Sequence, residues 1–373
     1  MGRAGQVGRA GKVQLYALPT RPTKPTRPCL ILSDPPVNRS LHRFATFVAG
    51  CTVLLVLAGS LVTSTGSGLS VPDWPTSYGW NMFSFPPSKW VGGILYEHGH
   101  RLIASTVGFL TIILAAWLAL REPRRWMKWL GAAALGAVIA QGILGGLTVL
   151  FFLPAAISTA HAGLAEIFFC MTVAIALFTS PRWIDGYVAP GEDTRALENA
   201  TLRRAATTTT VLVYVQILIG ATMRHTDAGL AIPDFPLMFG HLWPTHWDPK
   251  IAIHFAHRVG ALVVTIAVAT TAFILWRGSS ERARPHTAFT RPAALLLALV
   301  AVQITLGALT ILSRRDMWIN SLHVVCGALV LTTSLVLTLR TWRVRFADAK
   351  EDVRLKPDAT RDAAPALTTG VRA

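Results

Sequence analysis

Eight long apolar runs punctuate this 373-residue sequence, at 44–64, 101–120, 129–153, 157–179, 205–223, 251–276, 292–312 and 319–339. Crossing a hydrocarbon core of about 30 Å takes roughly 20 predominantly apolar residues in a helix, and each run meets or approaches that length. The composition agrees: 52% of the residues are hydrophobic and 14% are charged, against about a quarter charged in a typical soluble domain. The fold expected is therefore an all-α membrane protein, eight transmembrane helices set in a lipid bilayer.

The net charge of +16 would suit a nucleic-acid partner, but its distribution argues for topology instead. Eight spans leave nine flanking segments on alternating sides. One set, 1–43, 121–128, 180–204, 277–291 and 340–373, holds 28 Lys and Arg. The other holds Lys89, Arg224, Lys250, Arg314 and Arg315. Basic residues are retained on the cytoplasmic side, so both termini are expected in the cytoplasm of a cell whose inner (plasma) membrane carries the protein. No aromatic interleaving or recognition motif points to nucleic acid. Cys29 lies in the N-terminal tail, and Cys51, Cys170 and Cys326 fall inside the apolar runs, so no disulfide framework is implied. Residues 1–40 are basic and rich in Pro and Gly, with no apolar region suited to a secretory signal. They and residues 343–373 are expected to be disordered tails.

The chain also repeats itself. Ser67–Pro75, SGLSVPDWP, recurs as AGLAIPDFP at Ala228–Pro236. EHGHR at 97–101 recurs as HFAHR at 254–258, and QGILGGLTVL at 141–150 recurs as QITLGALTIL at 303–312. His161 and His323 both open a run. Four blocks in one order at nearly constant offset mark a duplication. Four spans per half leave the halves in the same orientation, related by an axis along the membrane normal. The expected architecture is two tandem pseudo-twofold four-helix bundles, 41–180 and 205–342, joined by a cytoplasmic linker at 181–204.

The duplicated histidines carry the chemistry. The second and fourth spans present His100 and His161 near their outer ends, and the sixth and eighth present His257 and His323. An ionisable group inside a span is costly and marks function by default. Two imidazoles facing across a four-helix bundle make an axial site for haem iron. Zinc would want three or four ligands, and two histidines per half leave it short. His98 and His254 lack this duplicated support as iron ligands. His225, His241 and His246 sit outside the spans, where they are solvated or line a site. Arg101 and Arg258 each follow a proposed ligand and admit two readings: interfacial anchors that snorkel to water, or partners for haem propionates. Asp73 and Asp234 suit acceptance of backbone hydrogen bonds in a turn. Trp74 and Phe235 suit either a folded lid or the edge of a macrocycle. Gln141 and Gln303, beside Gly-rich stretches that permit close packing, suit interhelical hydrogen bonds.

The halves are not identical. Glu97, three residues before His100 and so on the same helix face, is replaced by His254 in the second half. A carboxylate beside one site alone can move a proton or stabilise developing positive charge there. The first half is thus expected to do chemistry, and the second to hold a cofactor or admit electrons.

TGSGLSVPDWP, the Glu-x-x-His-Arg element at 97–101, His161, and the duplicated His257 and His323 together resemble the haem A synthase family over about 41–342. The resemblance implies oxidation of the C8 methyl of haem O to a formyl group by successive hydroxylation, giving haem A for terminal oxidases. It implies a resident haem B on His257 and His323. It further implies haem O as substrate on His100 and His161, with Glu97 as the catalytic carboxylate. A haem O synthase, an electron donor and a second copy of the chain are the partners compatible with it. Some members carry a cysteine pair in the first outer loop, but residues 65–96 and 224–250 contain no Cys, so the chain resembles the subtype without that pair. Two other functions fit the paired histidines: a di-haem electron carrier, and a haem transporter or chaperone without turnover.

Overall fold

The computed structural model describes residues 37–185, 200–280 and 287–355. Among them the chain is helical, with no named strand: α1 (Arg39–Ser64), α2 (Gly93–Arg121), α3 (Arg125–Leu150), α4 (Ala155–Phe178), a short α5 (Pro181–Asp185), α6 (Ala200–His225), α7 (Pro249–Ser280), α8 (Thr287–Leu312) and α9 (Met317–Leu355). All but α5 are long and apolar enough to cross a membrane, so the chain is a multi-pass membrane protein. Helices satisfy their own backbone groups, which lipid cannot do.

Helix packing repeats as the sequence does. α1 packs on α2 and α4, as α6 packs on α7 and α9; α3 packs on α2 and α4, as α8 packs on α7 and α9. Between the halves α1 meets α9, α6 meets α4, and α4 meets α9. Exchanging α1–α4 with α6–α9 reproduces this pattern, as a twofold relation between the halves requires. Apolar cores fill the bundles away from the histidines: Leu41, Ala45, Val107, Leu114, Leu118, Met127 and Ile175 in one, and Val213, Val264, Val268, Leu296 and Leu331 in the other. Large exposed apolar side chains such as Phe47, Phe109, Leu120, Trp129 and Phe273 face outward, as lipid allows.

Helix ends depart from the apolar runs in three instructive places. α1 starts at Arg39 because the Asn38 side chain accepts the Leu41 N–H at 3.0 Å, satisfying one of the orphan donors of a first turn. α2 starts at Gly93, about two turns before its apolar run, so Glu97, His98 and His100 lie within the helix. α9 continues to Leu355, past the apolar run that ends at 339. Its last turns are rich in Ala, Arg, Lys and Glu, which favour helix without adding hydropathy. Residues 1–36, 186–199, 281–286 and 356–373 lie outside the described residues, and with them most of the expected N-terminal tail, most of the 181–204 linker and the chain's C-terminal end.

Candidate functional site

Each of the four duplicated histidines rests on a glycine of the preceding long helix. The Cε1 of His100 lies 3.1 Å from where a Cβ on Gly59 of α1 would sit, and that of His161 lies 3.3 Å from the same point on Gly145 of α3. For His257 the glycine is Gly220 of α6 at 2.8 Å, and for His323 it is Gly307 of α8 at 3.1 Å. Any side chain at these glycines would meet the imidazole edge, so the small residue sets how far each ring retreats into its bundle. The rings of His257 and His323 face one another with centroids 6.5 Å apart and planes at 67°. His100 and His161 lie within electrostatic reach of each other. The Nδ1 atoms of His100, His161 and His323 are buried without a hydrogen-bond partner, although buried ring nitrogens are almost always partnered.

Glutamines tie these helices together. Gln141 of α3 donates to the His161 carbonyl of α4 at 2.8 Å, and the Gln303 amide of α8 lies 3.3 Å from the His323 ring of α9, the interhelical bonds expected of them. A third was not anticipated: the Gln216 amide of α6 reaches the Nδ1 of His257 at 3.0 Å and its carbonyl at 2.7 Å. The repeat offset puts Leu55 at the equivalent place in the first half. The two clefts therefore share their histidines and glycines but differ in what orients the first histidine of each pair.

Above each cleft the PDWP or PDFP loop is clamped to the helix that carries that histidine. Asp73 accepts the N–H groups of Tyr78 at 2.7 Å and Gly79 at 2.8 Å, and Asp234 accepts those of Phe239 and Gly240, both at 2.8 Å. Burial works to raise the Asp73 carboxyl, but the Gly79 N–H, Thr76 hydroxyl and Tyr78 N–H outweigh it and hold it below its ordinary value. Asp234 is lowered likewise: burial opposes the shift, and the Gly240 and Phe239 N–H groups, with Arg258 nearby, prevail. The Trp74 indole lies over Gly146 of α3, which places it as a cover docked on the bundle.

The arginines belong to this clamp. Arg101 donates to the carbonyls of Val71, Asp73 and Thr76 at 2.7, 2.7 and 3.0 Å, and to Glu97 at 2.7 Å. Arg258 donates to Ile232, Asp234 and Leu237 carbonyls at 3.2, 2.6 and 2.9 Å. Neither reading of these residues, water-facing anchor or propionate partner, included this role. Glu97, only 3% exposed, accepts the Val71 N–H through Oε2 at 2.7 Å. His254 does the same job in the second half, its Nδ1 accepting the Ile232 N–H at 3.2 Å. The Glu-to-His exchange thus keeps the loop contact and changes the charge.

Among the other histidines, His98 is buried, 3.1 Å from the Ser77 hydroxyl and between Phe85 and Trp90. His241 and His246 are exposed. His225 is partly buried and within electrostatic reach of His161. Two further ionisable residues lie inside spans. Glu166 of α4 is buried with its Oε2 unpartnered, and Arg224 lies in the last turn of α6 with its Nε unpartnered. Among the described residues no cluster of three or more His, Cys, Asp or Glu suits a metal ion, so each cleft has histidine pairs alone to offer.

Fold and histidine sites together define a class: an eight-span helical membrane protein in which each of two related four-helix sets carries a buried histidine pair beside a clamped loop. Residues 88–335 match the model of the COX15-CtaA family, described as cytochrome oxidase assembly protein. A haem A synthase of Symbiobacterium thermophilum is 31% identical over 282 residues, spanning 73% of this chain and 85% of that protein. Haem A synthases of Halalkalibacterium halodurans and Geobacillus kaustophilus are 29% and 28% identical, over 80% and 84% of this chain and 95% and 96% of theirs. The chain belongs to this family, the haem A synthases.

Proposed function

We propose that the second cleft holds a resident haem B on His257 and His323, and that the first receives haem O on His100 and His161. The reaction is that of a haem A synthase, an oxidoreductase that converts the C8 methyl of haem O to the formyl group of haem A. The observation that carries the division of labour is the Gln216/Leu55 difference. Partners that orient a ligating imidazole strengthen metal retention by about 10- to 100-fold, which suits a group that stays. A cleft whose histidine lacks such a partner suits a group that must leave.

The separation in the second cleft supports ligation. Metal–nitrogen bonds of about 2 Å, with roughly 1 Å more from each nitrogen to its ring centre, would put two imidazole centroids bound to one metal up to about 6 Å apart. The observed 6.5 Å is close to that separation. When bound, haem supplies the redox chemistry, and the chain's residues orient and enclose it. The four glycines let the rings retreat to make room. The clamped loops, with Trp74 docked on Gly146, cover the outer ends and limit water.

Glu97 acts beside the substrate. Both of its oxygens are held, by the Val71 N–H and by Arg101, which fixes it one helical turn from His100. A fixed carboxylate suits stabilisation of positive charge developing on the methyl carbon better than a swinging proton carrier. The Lys and Arg distribution supports cytoplasmic termini and clefts toward the outer side, with haem O delivered by a haem O synthase and electrons exchanged with a separate donor.

The test is spectroscopic. His323→Ala is expected to abolish the low-spin signal of the resident haem, and His161→Ala to leave it. A low-spin signal that survives His323→Ala would overturn the assignment of the second cleft.

A further inference from the structure

Arg224 lies in the last turn of α6 at the seam where the two halves meet. Its Nη2 donates to the Ser60 carbonyl at 3.0 Å and the Ser64 hydroxyl at 2.8 Å, both on α1. Ser64 in turn contacts Asn320 at 3.1 Å and Ser321 at 2.9 Å on α9. This small polar network is threaded among the clefts. Ser60 follows Gly59, the seat of His100; Arg224 lies one turn past Gly220, the seat of His257; Ser321 lies two residues before His323. Arg224 is also within electrostatic reach of His323.

What the network lacks is an anion. Arg224 forms no ion pair with a described carboxylate: the nearest acidic residue in sequence, Asp227, is 80% exposed and pairs with Arg315 at 3.9 Å. Arg315 is a second cation within reach of Arg224, which makes the site more positive still. Meanwhile the Arg224 Nε–H is buried without an acceptor. A partly buried cation with no anionic partner and a buried open donor favours an anionic acceptor, and a guanidinium pairs strongly with a carboxylate. Arg101 and Arg258, the other arginines beside the clefts, direct their Nη donors to loop carbonyls and, for Arg101, to Glu97; the Arg258 Nε is likewise buried without an acceptor, but Arg258 has Asp234 within electrostatic reach.

We propose that Arg224 docks a propionate carboxylate of the haem held by His257 and His323. This rests on the reading of the second cleft as a haem site. It also links the clefts physically, because the residue that grips the resident group is bonded to the helix that seats His100.

A chemical double-mutant cycle tests it on the full-length protein in detergent, stripped and reconstituted with haem B or with its dimethyl ester, in which both propionates are neutral. The readout is affinity for the low-spin site, identified by its loss in His323→Ala. Wild type is expected to bind the ester at least tenfold more weakly than haem B. Arg224→Gln is expected to bind haem B at least tenfold more weakly than wild type and to discriminate little between haem and ester. A merely structural Arg224 would weaken both ligands and leave the discrimination intact, and that result overturns the proposal. If Arg224→Gln does not accumulate, Arg224→Lys, which keeps the charge and loses the fork, is expected to reduce the discrimination at least threefold; an unchanged ratio overturns it. If wild type itself binds no low-spin haem, the reading of the cleft fails and the docking proposal falls with it.

Discussion

The His257 imidazole sits so close over Gly220 that a Cβ added there would lie 2.8 Å from its Cε1. Contacts under 3 Å cannot be absorbed without movement, and overpacking a filled interior costs about 1–3 kcal/mol. Gly220→Ala is therefore expected to push the ring toward His323 and weaken the resident haem by about tenfold or more, read as loss of low-spin absorbance on dilution. Gly145→Ala, at 3.3 Å from His161, should leave that signal unchanged.

Gln216→Leu copies into the second half the residue found at 55 in the first. It removes the side chain that orients His257 while preserving bulk. Haem dissociation is expected to speed by about 10- to 100-fold, measured by transfer to a haem-scavenging protein. The reciprocal Leu55→Gln should slow release from the first cleft.

Glu97→Gln keeps the size of the side chain but removes the charge. The Val71 contact can persist, so the protein is expected to fold and retain the resident haem. Conversion of haem O is expected to fall by about 10²-fold or more, the usual effect of losing one preorganised electrostatic partner. Chromatography of extracted pigments checks this, with normal haem A yield as the contrary result.

Much of this molecule was legible in its sequence because lipid narrows the choices. Eight apolar runs became eight spans, and the duplicated blocks became matching packing of α1–α4 and α6–α9. Helix ends were less legible where polarity and helicity part company. α2 begins at Gly93 because Glu97 and His98 are buried and hydrogen-bonded, which hydropathy reads as a loop. The glycine seats were half visible: Gly145 and Gly307 sit in a repeated block, yet nothing in spacing alone assigns them to a histidine on the next helix. Gln216 and Arg224 were invisible as site residues because the repeat does not keep them, and self-similarity highlights only what is shared. The Glu97/His254 exchange was read as a difference in chemistry; the structure adds that both accept a loop N–H.

The loop clamp has a pH signature. Asp73 and Asp234 lie outside the spans and are held below their ordinary values by loop N–H groups that outweigh burial. A carboxyl with a depressed folded value contributes stability above its unfolded pKa of about 3.9, and that contribution is lost as pH falls through the folded value. Thermal stability is expected to drop below about pH 4, with Asp73→Asn less stable at neutral pH and flatter in the acid range. A parallel acid loss in wild type and variant would contradict the assignment.

The central claim, that the first cleft converts haem O while the second only holds haem, is tested most directly by expressing the chain beside a haem O synthase and extracting its pigments. Wild type should yield haem A, and Glu97→Gln should yield haem O with the low-spin haem B still bound. Haem A from Glu97→Gln at the wild-type level, or haem O alone from folded, haem B-loaded wild type, would contradict the account.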